Sequence, residues 1–264
     1  MRRVSRVENA DSNQIRPQEA GRLRRYNVAM GILHLIQGLA ILVLSNGFSL
    51  PVTATFANSQ PGGPVDPSRL SELFTIPLGP AVAAFLLISA LAHLVVASPF
   101  GFPVYISELE HRRDRFRWVE YAFSASLMIV LIAMLAGISD IVALLALFAV
   151  NACMIMFGWL METGSRPGPG ADWTPFSMGC IAGIVPWASI AIYLIGAGSD
   201  VPGFVYVIFA TLFVAFNSFA LNQYLQYRRI GPWRDYLFGE RVYIALSLTA
   251  KSLLAWQVFA NTLV

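Results

Sequence analysis

The sequence predicts an all-α membrane protein, a bundle of seven spanning helices, and three observations carry that prediction. Of 264 residues, 56% are hydrophobic and only 12% charged, about half the roughly 25% usual in a soluble domain. The apolar residues gather into seven runs, each close to the roughly 20 residues a helix needs to cross about 30 Å of hydrocarbon. The charges fall between those runs, with the positive ones concentrated on alternate connections. A mean hydropathy of +0.62 excludes a disordered chain, and it argues against a soluble nucleic-acid binder despite a pI near 9.0.

The chain begins with 25 polar, arginine-rich residues lacking an apolar stretch, which reads as an arm rather than a cleavable signal. The runs then follow as Tyr26–Leu44, Leu78–Ala97, Trp118–Ile138, Ile141–Leu160, Phe176–Ile195, Phe204–Tyr224 and Tyr236–Thr262. Between the first two lies a long connection, Ser45–Pro77. There Val52-Thr53-Ala54-Thr55-Phe56 has the alternation of a short strand, and Pro61-Gly62-Gly63-Pro64 could turn it into a β-hairpin. Ser139 and Asp140 alone separate the third and fourth runs, which requires a tight antiparallel pair. Pro186 lies within the fifth run, a position bundles tolerate because neighbours re-satisfy the freed backbone. No strand-length alternation crosses the runs, which excludes an outer-membrane barrel. Cys153 and Cys180 sit inside apolar runs and read as small hydrophobes, not as a disulfide or metal pair. The whole is one domain, 1–264, without internal repeats, phosphate-binding glycine motifs or metal-ligand spacing, so no enzyme chemistry is indicated.

Arginine placement sets the expected orientation. The arm and alternate connections hold Arg2, Arg3, Arg6, Arg16, Arg22, Arg24 and Arg25, then Arg112, Arg113, Arg115 and Arg117, then Arg166, then Arg228, Arg229, Arg234 and Arg241. Arg69 alone stands on the other side. The expectation is a plasma-membrane protein with its N-terminus in the cytoplasm and its C-terminus outside. The basic inner face could serve only topology, or could dock anionic lipid or an acidic cytoplasmic signalling partner.

Against 17 arginines in loops and tails there is one lysine, Lys251, in the middle of the last run. An ionisable group at that depth costs at least about 2.5–3.5 kcal/mol on insertion scales. Arginine holds its proton and is a poor nucleophile, whereas a lysine in apolar surroundings can release its proton and form a Schiff base. Two readings stand: Lys251 supplies an amine, or it pairs with a carboxylate to tie two helices together. Glu120, about one turn into the third run, is the carboxylate clearly inside a span. The third and seventh runs enter from the same side, and a helical lysine leans toward its N-terminus, so the two groups can meet.

Seven helices, a lysine in the seventh and a carboxylate early in the third form the pattern of the microbial retinal proteins. The inward N-terminus, the long first outer loop, Glu120-Tyr121…Ser124-Ala125-Ser126 and Ser247-x-x-x-Lys251 resemble the heliorhodopsins in particular, over all seven helices. The resemblance implies all-trans retinal bound to Lys251 as a protonated Schiff base, with Glu120 as counterion. It also implies a homodimer in the lipid bilayer, with the long outer loop as a possible contributor. Ser247, one turn before Lys251, is similar in position to a second aspartate of the ordinary pumps; the alternative is a back-bond to a helix carbonyl. His34 with Gln37, and His93 with Ser89, stand one turn apart in the first two runs. The resemblance places both histidines, with Ser124, in a polar cavity near the Schiff base, where a histidine could accept a proton. The alternative is two histidines hydrogen-bonding across helices. Trp187, Phe216, Asn217, Met128 and Gly158 are candidate walls of a retinal slot, although aromatics and methionines also serve plain packing.

Three functions follow. The first is a light sensor that signals by conformational change. The second is a light-driven pump or light-gated channel; Leu131, three turns beyond Glu120, stands where a pump's proton donor would be, which favours the sensor. The third is a transporter or receptor without retinal, in which the lysine–glutamate pair is structural or binds an anion.

Overall fold

The computed structural model describes residues 14–56 and 70–264, and within them the seven runs are seven long helices. The Pro61–Pro64 turn, Arg69 and the first part of the arm lie outside the described residues. Helix α1 (Pro17–Leu44) begins nine residues before its apolar run, with proline at its start, where a missing N–H costs nothing. Strands β1 (Ser49–Thr55) and β2 (Leu70–Pro77) pair antiparallel, with a register shift at Val52/Thr53. Helix α2 (Leu78–Ala97) follows directly, bounded as the hydropathy run is.

One element is new. Helix α3 (Gly101–Glu110) occupies the basic connection that read as a loop. Tyr105 and Leu109 bury one face of it, packed with Leu23, Val96 and Tyr236 and flanked by Phe102, Ile106 and Phe116. Helix α4 (Arg115–Leu135) starts at Asp114, whose carboxylate accepts from the Phe116 and Arg117 amides. Helix α5 (Ile141–Gly164) starts likewise at Asp140, capping Val142 and Ala143. The turn between them passes through Gly137 at φ +100°, a conformation that suits a residue without Cβ. Then come α6 (Thr174–Ala197), containing Pro186, α7 (Gly203–Arg228) and α8 (Tyr236–Val258), the last ending in a π-helical turn, Phe259–Leu263.

The bundle has two unlike ends. At the hairpin end Thr53 bonds the α4–α5 turn through Ser139, backbone to backbone at 2.8 Å and hydroxyl to hydroxyl at 2.9 Å. Asn46 there holds the chain's last residues, its amide N–H donating to the Leu263 carbonyl and its side chain to those of Thr262 and Val264. A core of buried aliphatic side chains fills the interior toward this end, including Met128, Ile129, Leu131, Ile132, Ile190, Ile208, Leu212, Leu254 and Val258. Toward the basic end the interior turns polar, with Asn27, Asp114, Arg117, Glu162, Asn222, Gln226 and Glu240 all buried. Outward faces stay apolar, as Val43, Ile192 and Ile195 show. Cys153 and Cys180 are free and exposed on such faces.

Candidate functional site

Lys251 and Glu120 meet between these two halves. The Lys251 Nζ lies 3.3 Å from Glu120 Oε1, with both side chains more than nine-tenths buried. Lys251 also donates to Ser247 Oγ at 2.7 Å, one turn back on α8, so Ser247 faces the lysine. The nitrogen stands 4.9 Å over the Tyr121 ring, whose hydroxyl donates to the Tyr243 carbonyl. Ser89 donates to the same oxygen, Glu120 Oε1, at 2.5 Å, with the Phe85 carbonyl as the alternative acceptor of its one hydroxyl proton. A cation with one carboxylate, two hydroxyls and an aromatic face forms a compact, compensated centre, which burial of charge requires.

His34 and His93 stack at 5.7 Å between centroids, with planes 14° apart. His93 Nδ1 pairs with Asn27 Oδ1 at 2.8 Å. His34 is fully buried, and both of its ring nitrogens lack a protein partner, as does Ser124 Oγ. Orphaned polar atoms of this kind call for water. Gln37 does not join the histidines. It lies about 60° round the helix from His34 and accepts instead from Trp256 Nε1 of α8 at 2.9 Å.

From Lys251 an apolar cavity of about 550 Å³ runs among α4, α5, α6, α7 and α8. Its walls include Met128, Gly158, Trp187, Phe216 and Asn217, the five residues read as a slot from the sequence, together with Trp118, Tyr121, Phe209 and Tyr243. Trp187 packs edge-on against Phe209, Phe213 and Phe216 at 5.4–5.6 Å, an arrangement aromatic quadrupoles favour. A Cβ on Gly158 would stand 2.5 Å from the Trp118 ring, so glycine there lets the indole lie flat along α5. Asn217 turns its amide back to the Phe213 carbonyl.

The basic end holds a second polar centre that the sequence reading missed. Arg117, counted there as a topology residue, is buried inside the bundle. It pairs with Glu162 of α5 at 2.6 Å and, more closely, with Glu240 of α8; Asp114 stands at 3.9 Å. Its guanidinium also lies 4.1 Å over the Tyr243 ring and 4.9 Å over Trp118. Glu162 accepts further from Trp118 Nε1, Tyr236 Oη and the Asp114 amide. Glu240 accepts from Tyr105 Oη of α3. Glu120 is therefore not alone: Glu162 and Glu240 also lie within spanning helices, because α5 runs past Leu160 and carries Glu162 inward. Nearer the surface, Glu108 pairs with Arg113 and Arg115. Burial pushes its carboxyl up, but Arg115 and Arg113 outweigh that and hold it below the ordinary value.

The family model for heliorhodopsins matches residues 23–263. The chain belongs to the heliorhodopsin family. It is accordingly a retinal-binding, multi-pass membrane protein of the rhodopsin kind. A search of curated proteins finds no match. Among solved structures, the chain is similar to a light-driven proton pump, LR (Mac), from Leptosphaeria maculans. The two superpose with a TM-score of 0.64 at 16% identity, over 90% of this chain and 95% of that one. At that identity the likeness speaks for the fold alone. The residues suit a family cofactor of retinal's shape: the cavity falls within the roughly 300–1,000 Å³ of small-ligand sites, is aromatic-walled, and ends at an amine beside a carboxylate.

Proposed function

We propose that this heliorhodopsin is a light sensor that holds all-trans retinal on Lys251 as a protonated Schiff base, with Glu120 as counterion. One observation carries the reading: the chain's single lysine is buried at the end of a 550 Å³ aromatic cavity, 3.3 Å from a buried carboxylate. When bound, retinal supplies absorption of visible light and a change of shape on absorbing it. Every other part falls to the chain. Glu120 compensates the positive charge at Lys251, Ser89 fixes the carboxylate's orientation, and Ser247 offers a neutral acceptor without a second negative charge. Trp187 and its aromatic neighbours wall the far part of the slot.

Signalling without pumping is supported by the buried aliphatic core around Leu131, which provides no carboxyl or histidine between Glu120 and the hairpin end along α4. The arginine distribution supports a plasma-membrane orientation with the basic end in the cytoplasm, facing an unidentified signalling partner. A homodimer is supported by the hairpin, which exposes Phe56, Leu70, Leu73 and Phe74, an apolar strip suited to a second copy.

The test is regeneration. Wild-type membranes supplied with all-trans retinal should gain a hydroxylamine-sensitive visible band, and Lys251→Ala and Lys251→Arg membranes should gain none. A persistent band in either variant would overturn the assignment.

A further inference from the structure

Three carboxylates, those of Asp114, Glu162 and Glu240, face one guanidinium inside the basic end. All four groups are buried. With every carboxyl ionised the cluster would carry two uncompensated negative charges away from water, a cost that groups in such surroundings avoid by taking up a proton. The other titratable groups packed around it are Tyr105 of α3, Tyr121 of α4, Tyr227 of α7, and Tyr236 and Tyr243 of α8. None of these is a cation, and Glu108 of α3 is already engaged by Arg113 and Arg115.

The three acids are not equivalent. Glu162 is the most fully engaged, accepting four donors, one of them charged. Asp114 and Glu240 both address one guanidinium nitrogen, Arg117 Nη1, which makes them the pair of acids placed to share a proton. Burial first, then Glu240, raises the Asp114 carboxyl well above its ordinary range against the pull of Arg117.

A second cavity joins this cluster to the lysine centre. It measures about 40 Å³ and is lined at one end by Asp114, Arg117 and Glu240, at the other by Glu120, Ser247 and His93. At about 10–15 Å³ per water it has room for about three, enough to connect the two centres through hydrogen bonds.

We propose that Asp114 and Glu240 together hold one proton in the resting protein, and that this site exchanges a proton with the Lys251–Glu120 centre on illumination. The exchange half rests on retinal being bound at Lys251; the resting half does not. In the exchange a proton leaves one oxygen–hydrogen bond and forms another along the water chain, with no net oxidation. An amide at either position supplies the neutral partner permanently, so the remaining carboxyl ionises and the cluster keeps its net charge. Asparagine also caps a helix as well as aspartate, so Asp114→Asn keeps the start of α4.

The experiment is infrared spectroscopy on the full chain in lipid nanodiscs. In the dark, without retinal, the wild type should show a protonated-carboxyl C=O band that shifts in D₂O. That band should vanish in Glu240→Gln and in Asp114→Asn and persist in Glu108→Gln. After regeneration, light-minus-dark spectra should show the same band changing in wild type and absent from the two variants. A wild-type band that survives both substitutions, or no such band, overturns the resting proton. A dark band indifferent to light in pigment that absorbs in the visible overturns the exchange. Failure to form pigment with the dark band present would instead sink the retinal reading. Should Glu240→Gln not fold, Asp114→Asn decides alone, and the wild-type spectrum stands independently of both.

Discussion

Replacing Arg117 by glutamine removes the one cation that Glu162 and Glu240 share. The substitution deletes two charged hydrogen bonds and two cation–π contacts, and it leaves both acids more than nine-tenths buried. Breaking a buried ion pair from one side costs about 3–5 kcal/mol, chiefly because the surviving charge stays desolvated. At about 1.4 kcal/mol per factor of ten, the folded-to-unfolded ratio should fall by two to three and a half powers of ten. The assay is reversible unfolding in mixed micelles titrated with SDS, followed by tryptophan fluorescence. Because the cost lies in the orphaned acids, Arg117→Gln/Glu240→Gln should recover about 1–3 kcal/mol of it, the desolvation cost of one buried unpaired group. A single variant within 0.5 kcal/mol of wild type, or a double variant no better than the single, would refute the reasoning.

Glu120→Gln takes away the carboxylate that compensates Lys251, so pigment at neutral pH should move from visible toward near-ultraviolet absorption, and added halide should restore a red-shifted band by replacing the charge. An unaltered spectrum would remove Glu120 from the counterion role. Gly158→Ala drives a methyl into the Trp118 ring, an overpacking worth about 1–3 kcal/mol; the indole should leave Glu162 and narrow the slot, lowering the yield of regenerated pigment severalfold against unchanged expression. Glu108, held below its ordinary value by Arg115 and Arg113 against burial, lends α3 a stability that is full above the ordinary carboxylate range and is lost as pH falls through the lowered value. The hydrogen-exchange protection factors of residues 101–110, corrected for the intrinsic rate at each pH, should therefore fall on acidification in wild type and lose that dependence in Glu108→Gln.

The seven spans were legible because a bilayer imposes length and apolarity together, and Leu78–Ala97 was legible to the residue because prolines and a serine bracket it. Lys251 and Glu120 stood out for the same reason, being charges where charge is expensive. Helix α3 escaped notice because it is ten residues long and lies among arginines, although Phe102, Tyr105, Ile106 and Leu109 have the spacing of one helical face. The Arg117 cluster was illegible on other grounds. Its members lie at the ends of apolar runs, where charges ordinarily mark topology, and Glu162 and Glu240 are 45 and 123 residues from Arg117. Only packing brings them together. Gln37 stands one turn from His34, but its bond to Trp256 joins two helices across 219 residues of sequence, a pairing that no local pattern announces.

Helix α8 is fastened at both of its ends. Glu240 is gripped by Arg117 in its second turn, and beyond its last turn Asn46 holds the chain at Thr262, Leu263 and Val264. A rod fixed at one end relieves a sideways push by swinging; one fixed at both must bow, and it delivers the bending moment to its supports. Lys251 sits between the supports, so any thrust on its side chain loads the Arg117 anchorage instead of dissipating at a free tip. The protein is thus built as a beam, with its load point at the lysine and its strain gauge at the basic end.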